Sequence, residues 1–219
     1  MDNNTIRIAI ALRLGGIICE RHVCRCGKTV EPDGHHSLSC KFSAGRLPRH
    51  SSFNKIISQG LRVGGFPNLL EPPGINRKDG KRPDGVTINP WYRGKSLIWD
   101  ATIGDTVAPS YVVSSSKTPG FVAEHAERKK HYHYSDLKKN YYFTPVSFET
   151  FGTMGSDTKK FFNIIGKHLR IATGDPRAKD YFLQRISVEL QRGNASSILN
   201  TSKTTDESTD EFYKIFEIL

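Results

Sequence analysis

The apolar positions fall into runs that alternate between helical and strand spacing. Over 48–63, Phe53, Ile56, Ile57 and Leu61 recur at intervals of three, one and four, which makes one helix face, and Gly64-Gly65 supplies the stop. Leu69-Leu70-Glu71 and the stretches 83–88 and 95–103 follow as β-prone runs, the last two joined as a hairpin through the Asn-Pro-Trp-Tyr-Arg-Gly loop at 89–94. A Ser/Pro/Gly-rich connector at 114–120 leads into a charged helix over 121–139, and 141–148 is again β-prone. Helices are predicted over 159–171 and 178–191, residues 5–14 suit a short helix or strand, and the tail after Asn200 is Ser/Thr-rich. The fold class read from this order is α/β: a core of helix, three strands, helix and strand, with helices added at its C-terminal side.

The stretch between Cys19 and Cys40 breaks the pattern. It is dense in Gly, Pro, Asp and Ser, too polar to pack itself, and contains every cysteine of the chain. Cys24, Cys26, His36 and Cys40 supply three thiolates and an imidazole, the donor set of a tetrahedral zinc site, with Gly27 and the Asp33-Gly34 turn available to fold the loop around it. His35 is an alternative nitrogen donor, and Cys19, His22, Cys24 and Cys26 form a competing set. A closed four-ligand site would organise a small module and leave no position open for chemistry. The expected division is a zinc-binding module at 1–47, a core at 48–150, a helical extension at 151–200 and a loosely held acidic tail at 201–219.

Charge narrows the partners. Lys and Arg number 32 against 22 acids, a net charge of +10 over 219 residues, which draws the chain toward polyanions, with nucleic acid, DNA or RNA, the leading partner. No stretch approaches the roughly 18 apolar residues of a membrane helix, and Arg7 and Arg13 interrupt the apolar segment 6–18, so neither a membrane anchor nor a secretory leader is expected. An intracellular location follows as an expectation, and in a reducing compartment clustered cysteines point to metal rather than disulfides.

Asp84 in KRPDG and Asp100 in LIWDATI sit on or beside β-prone runs that would set their carboxylates near one another, and Glu71 ends a short apolar run and adds a third oxygen donor. Such a group can hold magnesium or manganese and serve phosphodiester hydrolysis. A nearby lysine is needed to orient or deprotonate the water. The place two residues after Asp100 is Thr102, so the cation must come from elsewhere; on the charged helix, Glu127, Lys130 and Tyr134 share a face, and Lys130 is the candidate. Trp91 and Trp99 read as packing residues rather than base platforms. Glu149 reads equally as a turn cap and stays outside the catalytic set.

The motifs CRCG, GHHSLSC, GRLPRHSSFN, LEPPG, DGKRPDGV, PW, LIWDATIGDT, AERKK, FTPVSFETFG and QRGNA occur in an order that resembles the restriction-like endonuclease domains, of the PD-(D/E)xK type, found in the C-terminal part of non-LTR retrotransposon polyproteins. The resemblance runs from about Leu12 to Thr201. It implies a restriction-endonuclease-like core that nicks DNA with a divalent metal, a zinc motif on Cys24, Cys26, His36 and Cys40, acids at Asp84 and Asp100, and a nuclear location. Arg49, His50 and Arg82, matching its Arg-His and Arg-Pro-Asp motifs, would bind or position phosphate. The family's helix often ends in Lys-Tyr where this chain has His133-Tyr134, which leaves Lys130 to act. Two other readings stand beside an active nuclease: a nucleic-acid-binding remnant that no longer cleaves, and a zinc-stabilised module that meets a protein through the acidic segment 206–219. The oligomeric state is left open.

Overall fold

The structure, a computed structural model, describes residues 1–201, so the acidic segment at 206–219 lies outside the described residues. Among those residues there are seven α-helices and a four-stranded mixed sheet, beside a two-stranded ribbon near the N-terminus. Helix α1 (Asn3–Leu14) is capped by Asp2 and stopped by Gly15 in the left-handed region, φ 66. The ribbon β1 (His22–Val23) and β2 (Thr29–Val30) is followed by the short helix α2 (His35–Ser39) and the long α3 (Arg46–Val63). The sheet strands are β3 (Asn68–Leu70), β4 (Gly85–Thr87), β5 (Leu97–Gly104) and β6 (Tyr142–Glu149), in the order β3-β4-β5-β6. The first two pairings are antiparallel and β5 runs parallel to β6, its crossover carrying α4 (Val112–Ser115) and α5 (Phe121–His133). Helices α6 (Ser156–Thr173) and α7 (Ala178–Leu199) close the described chain.

Strand alternation assigns the two faces of the sheet. Leu97, Trp99, Ala101, Val146 and Phe148 point into the main core with Phe53 and Ile57 of α3, Phe162 and Ile165 of α6 and Phe182 and Ile186 of α7. On the opposite face Ile98 and Phe143, paired in register, pack with Tyr134 just beyond α5. The helices α6 and α7 share the core with α3 and the sheet, and α1 with α2 is anchored on the end of α7 through Ile8, Leu12, Leu38, Ala195 and Ile198.

Two helices differ in length from the periodic reading. The charged helix ends at His133 instead of continuing to 139, because Tyr134 turns into the core and Leu137–Lys139 forms a separate 3-10 turn. Helix α7 continues past 191 to Leu199, and its added part, Arg-Gly-Asn-Ala-Ser-Ser-Ile-Leu, carries no helical stripe of large apolar residues. Small side chains are needed there: a Cβ on Gly193 would come within 2.3 Å of the Arg49 side chain.

Candidate functional site

Cys24, Cys26, His36 and Cys40 meet with their ligand atoms all within 4.8 Å of one another, and they can hold a metal ion. The ribbon turn carries the first two, Gly27 at φ 84 making the sharp bend between β1 and β2, while Gly34 at φ 66 starts α2 and turns His36 inward. Cys24 and Cys40 Sγ lie 3.7 Å apart and Cys26 Sγ lies 3.3 Å from His36 Nε2. Tetrahedral zinc with its usual bond lengths sets these edges at about 3.8 Å between sulfurs and about 3.6 Å between sulfur and nitrogen. The cluster thus fits zinc. Burial pushes the Cys24 thiol up to about 11, so a metal is what would draw off its proton, and burial together with Lys28 and His22 lowers His36, keeping the imidazole in its neutral, ligating form. The competing ligands are engaged elsewhere: the Cys19 Sγ lies 3.6 Å from the Glu31 carbonyl, His22 bonds the Glu20 carbonyl and Thr201 hydroxyl, and His35 pairs with Asp33 at 3.5 Å.

The second site is built on the β4/β5 pairing. The register Gly85↔Trp99 and Val86↔Ile98, continued by one step, sets Asp84 opposite Asp100. Gly85 is required between them, since a Cβ there would fall 2.1 Å from the Trp99 ring. Asp84 accepts from the Ala101 N–H at 2.6 Å and pairs with His50 Nε2 at 3.1 Å, while Asp100 pairs with Lys130 Nζ at 2.5 Å. His50 comes from α3 and Lys130 from α5, so Asp84 is met by an imidazole from one helix and Asp100 by an ammonium from another. Trp99 Nε1 donates to Asn54 Oδ1 at 3.1 Å, which turns the Asn54 amide nitrogen onto His50 Nδ1 at 3.4 Å; the neutral ring is thereby held as the Nε2–H tautomer.

The two acids differ in their surroundings. Burial raises Asp84, but the His50 imidazole, the Ala101 N–H and Asn54 outweigh it and hold the carboxyl below its ordinary range. Burial dominates at Asp100, opposed by Lys130 and reinforced by the charge of Asp84, and its carboxyl is raised. Asp84 in turn raises His50. Tyr134, 1% exposed, lies beside Asp100; burial and that negative charge push its hydroxyl up, and its ring stacks on Phe143 at 4.2 Å with the Arg77 guanidinium 5.0 Å over the ring. Tyr134 was marked in the sequence only by its place one turn after Lys130.

Three expectations need correction or reassignment. Glu71 does not join the acid pair: its backbone N–H bonds the Asp84 carbonyl at 2.8 Å, but the residue sits at φ 47 and its exposed carboxylate pairs with Arg82. Among the described residues no three-carboxylate metal cluster forms. Arg49 is no surface phosphate ligand, since it is 4% exposed and donates to Asn194 Oδ1 at 2.8 Å and to the Leu38 carbonyl at 3.3 Å, and burial lowers it to about 10. Glu127, although one turn before Lys130, turns away and accepts from the Asp157 and Thr158 N–H groups, each at 3.0 Å, capping α6. Arg82 stays half-exposed at the mouth, where it meets Glu71. Trp99 and Trp91 pack internally, the latter 4.5 Å from Phe66, and Glu149 caps α5 through the Val122 N–H at 2.9 Å.

No protein-family model matches the chain, and no curated protein matches it. The class defined by the fold and the sites is a mixed α/β protein with a Cys/His cluster able to hold zinc and an acid pair flanked by His50 and Lys130.

Proposed function

We propose that this chain is a metal-dependent endonuclease domain of the restriction-like type, derived from a non-LTR retrotransposon, that nicks DNA by phosphodiester hydrolysis. The observation that carries the reading is the meeting of Asp84 and Asp100 with His50 and Lys130 on one sheet of a chain with net charge +10. The order of α3, three strands, α5 and β6 supports a restriction-endonuclease-like core.

Asp84 and Asp100 would hold magnesium or manganese, which commonly binds through one or two carboxylates with phosphate oxygens completing the shell. When bound, the ion supplies an activated water and neutralises charge on the phosphate. The chain's own groups do the rest. Lys130 would orient the attacking water through its ammonium protons, and Tyr134, whose hydroxyl donates to the Arg82 carbonyl at 3.3 Å, packs beside Asp100. His50, with 40% of its side chain exposed, keeps Asp84 ionised through the bond from its Nε2 to that carboxylate. Arg82, once released from Glu71, is free to meet a neighbouring phosphate.

Nicking of supercoiled plasmid with magnesium or manganese tests the proposal. The parent converts it to open circle and both Asp84→Asn and Asp100→Asn fail to, with zinc content unchanged. Cleavage that survives both substitutions sinks the mechanism. The detachment of Glu71 favours one rival, a nucleic-acid-binding remnant without cleavage, for which the parent binds DNA in a salt-dependent way and never nicks it.

A further inference from the structure

Helix α6 divides into two opposed faces. Phe161, Phe162, Ile165 and Leu169 are buried in the main core. At about 100° per residue, Lys159, Lys160, Lys167 and Arg170 fall within an arc of about 100° on the opposite side, and all four are exposed. No carboxylate shares that arc. Asp157 at the helix start is taken by His131 and Lys160, and Asp175, beyond the Gly174 cap, pairs with Arg177. Among the described residues no ion pair engages Lys159, Lys167 or Arg170.

The helix is also fixed relative to the acid pair. Glu127 of α5 caps its first turn through Asp157 and Thr158, His131 of α5 pairs with Asp157 at 2.6 Å, and Lys130, between those two residues, reaches Asp100. Anything seated on the basic face of α6 is therefore held at a set offset from Asp84 and Asp100.

We infer that the solvent face of α6 is a docking surface for the phosphate backbone of duplex DNA flanking the cleavage site. The inference rests on the endonuclease reading for its partner. From Lys159 to Arg170 the face is about 16 Å long at 1.5 Å per residue, and a duplex presents one charge per about 1.7 Å of axis, so several phosphates lie within reach. A membrane surface fits less well, because helices that lie in the lipid interface need a free apolar face, whereas that of α6 is in the core and the exposed residues flanking its basic arc add only Ile164 and Ile171.

The test uses the full chain with Lys159→Gln, Lys160→Gln, Lys167→Gln and Arg170→Gln combined. A second variant with the same loss of charge at Arg7, Lys55, Lys117 and Arg185, all exposed, serves as control. Affinity for a fluorescent 30-base-pair duplex is measured from about 50 to 200 mM salt, where each lost phosphate contact lowers the slope of log K against log salt by about 0.9. The α6 variant is expected to lose up to about 3.6 from that slope, four contacts at about 0.9 each, and the control less than about 1, while nicking at saturating DNA is unchanged. A parent that binds and nicks beside an α6 variant of unaltered slope overturns the docking surface and leaves the nuclease standing. A slope loss without nicking by the parent keeps the surface and removes the cleavage reading, and a parent that binds no duplex overturns both. Loss of binding to phosphatidylserine vesicles with DNA binding intact assigns the face to lipid and likewise overturns the inference.

Discussion

A guanidinium with 4% of its surface exposed cannot meet a phosphate, and Arg49 instead joins α3 to Asn194 of α7 and to the Leu38 carbonyl. Arg49→Ala is expected to lower stability by about 2–4 kcal/mol, through a cavity and unpaired polar groups, without changing the salt dependence of DNA binding; a changed slope would return Arg49 to the interface. Its neighbour His50, one position on, reaches Asp84, so adjacent letters of one motif divide between scaffold and site. Lys130 is distinguished from Lys129 in the same way: Lys130 pairs with Asp100 and Lys129 is exposed. Lys130→Ala is expected to slow nicking by about 10²–10⁴-fold at saturating DNA, with Lys129→Ala near the parent rate, measured as single-turnover open-circle formation. These distinctions were not legible in the sequence, where burial and pairing partners do not show. Asp84 and Asp100 were, because each stands in or next to a β-prone run and the hairpin between them fixes their approach.

At the scale of elements, carboxylates bind helix starts to their neighbours. Glu149 caps α5 and Glu127 caps α6; in the sequence the first showed only as an acid near a predicted strand end and the second as one of three residues on a helix face. Asp157, in the first turn of α6, adds a titratable link. Burial raises its carboxyl, but His131 and Lys160 outweigh it and the group is lowered. A lowered carboxyl contributes stability that is present above the unfolded value, about 3.9, and is lost as pH falls through the folded one. Asp157→Asn should therefore melt at a lower temperature than the parent at pH 6, the gap closing as pH falls below about 4; thermal midpoints along that series check it, and a gap that stays constant with pH would deny the linkage. Helix boundaries were the least legible feature. Periodicity carried α3 to its stop at Gly64, but α7 runs on through small residues whose value lies in letting Arg49 and α1 approach.

Over the whole molecule, cores are shared between segments: α6 and α7 complete the packing of the sheet, and the Cys/His module rests on α1 and the end of α7. Loss of metal should be felt beyond the ribbon. The purified chain is expected to hold one zinc, and Cys40→Ser to lose it, with a lower thermal midpoint and faster reaction of the remaining thiols with a thiol reagent; full zinc retention by that variant would point to a different ligand set. No described helix is long and apolar enough to cross a membrane. The sequence by itself determined the succession of α3, the sheet strands, α5, α6 and α7, through the spacing of apolar side chains, and that the Cys/His segment could hold a metal, because thiolates and imidazoles so close in a polar segment have few other uses; which of its donors meet was left to the fold. Only the tertiary structure decided which charges meet. His50 and Asp84, or Lys130 and Asp100, lie 30 or more positions apart, and their pairing depends on strand register, on the side of the sheet each helix covers, and on the burial that leaves Glu71 outside and locks Arg49 within.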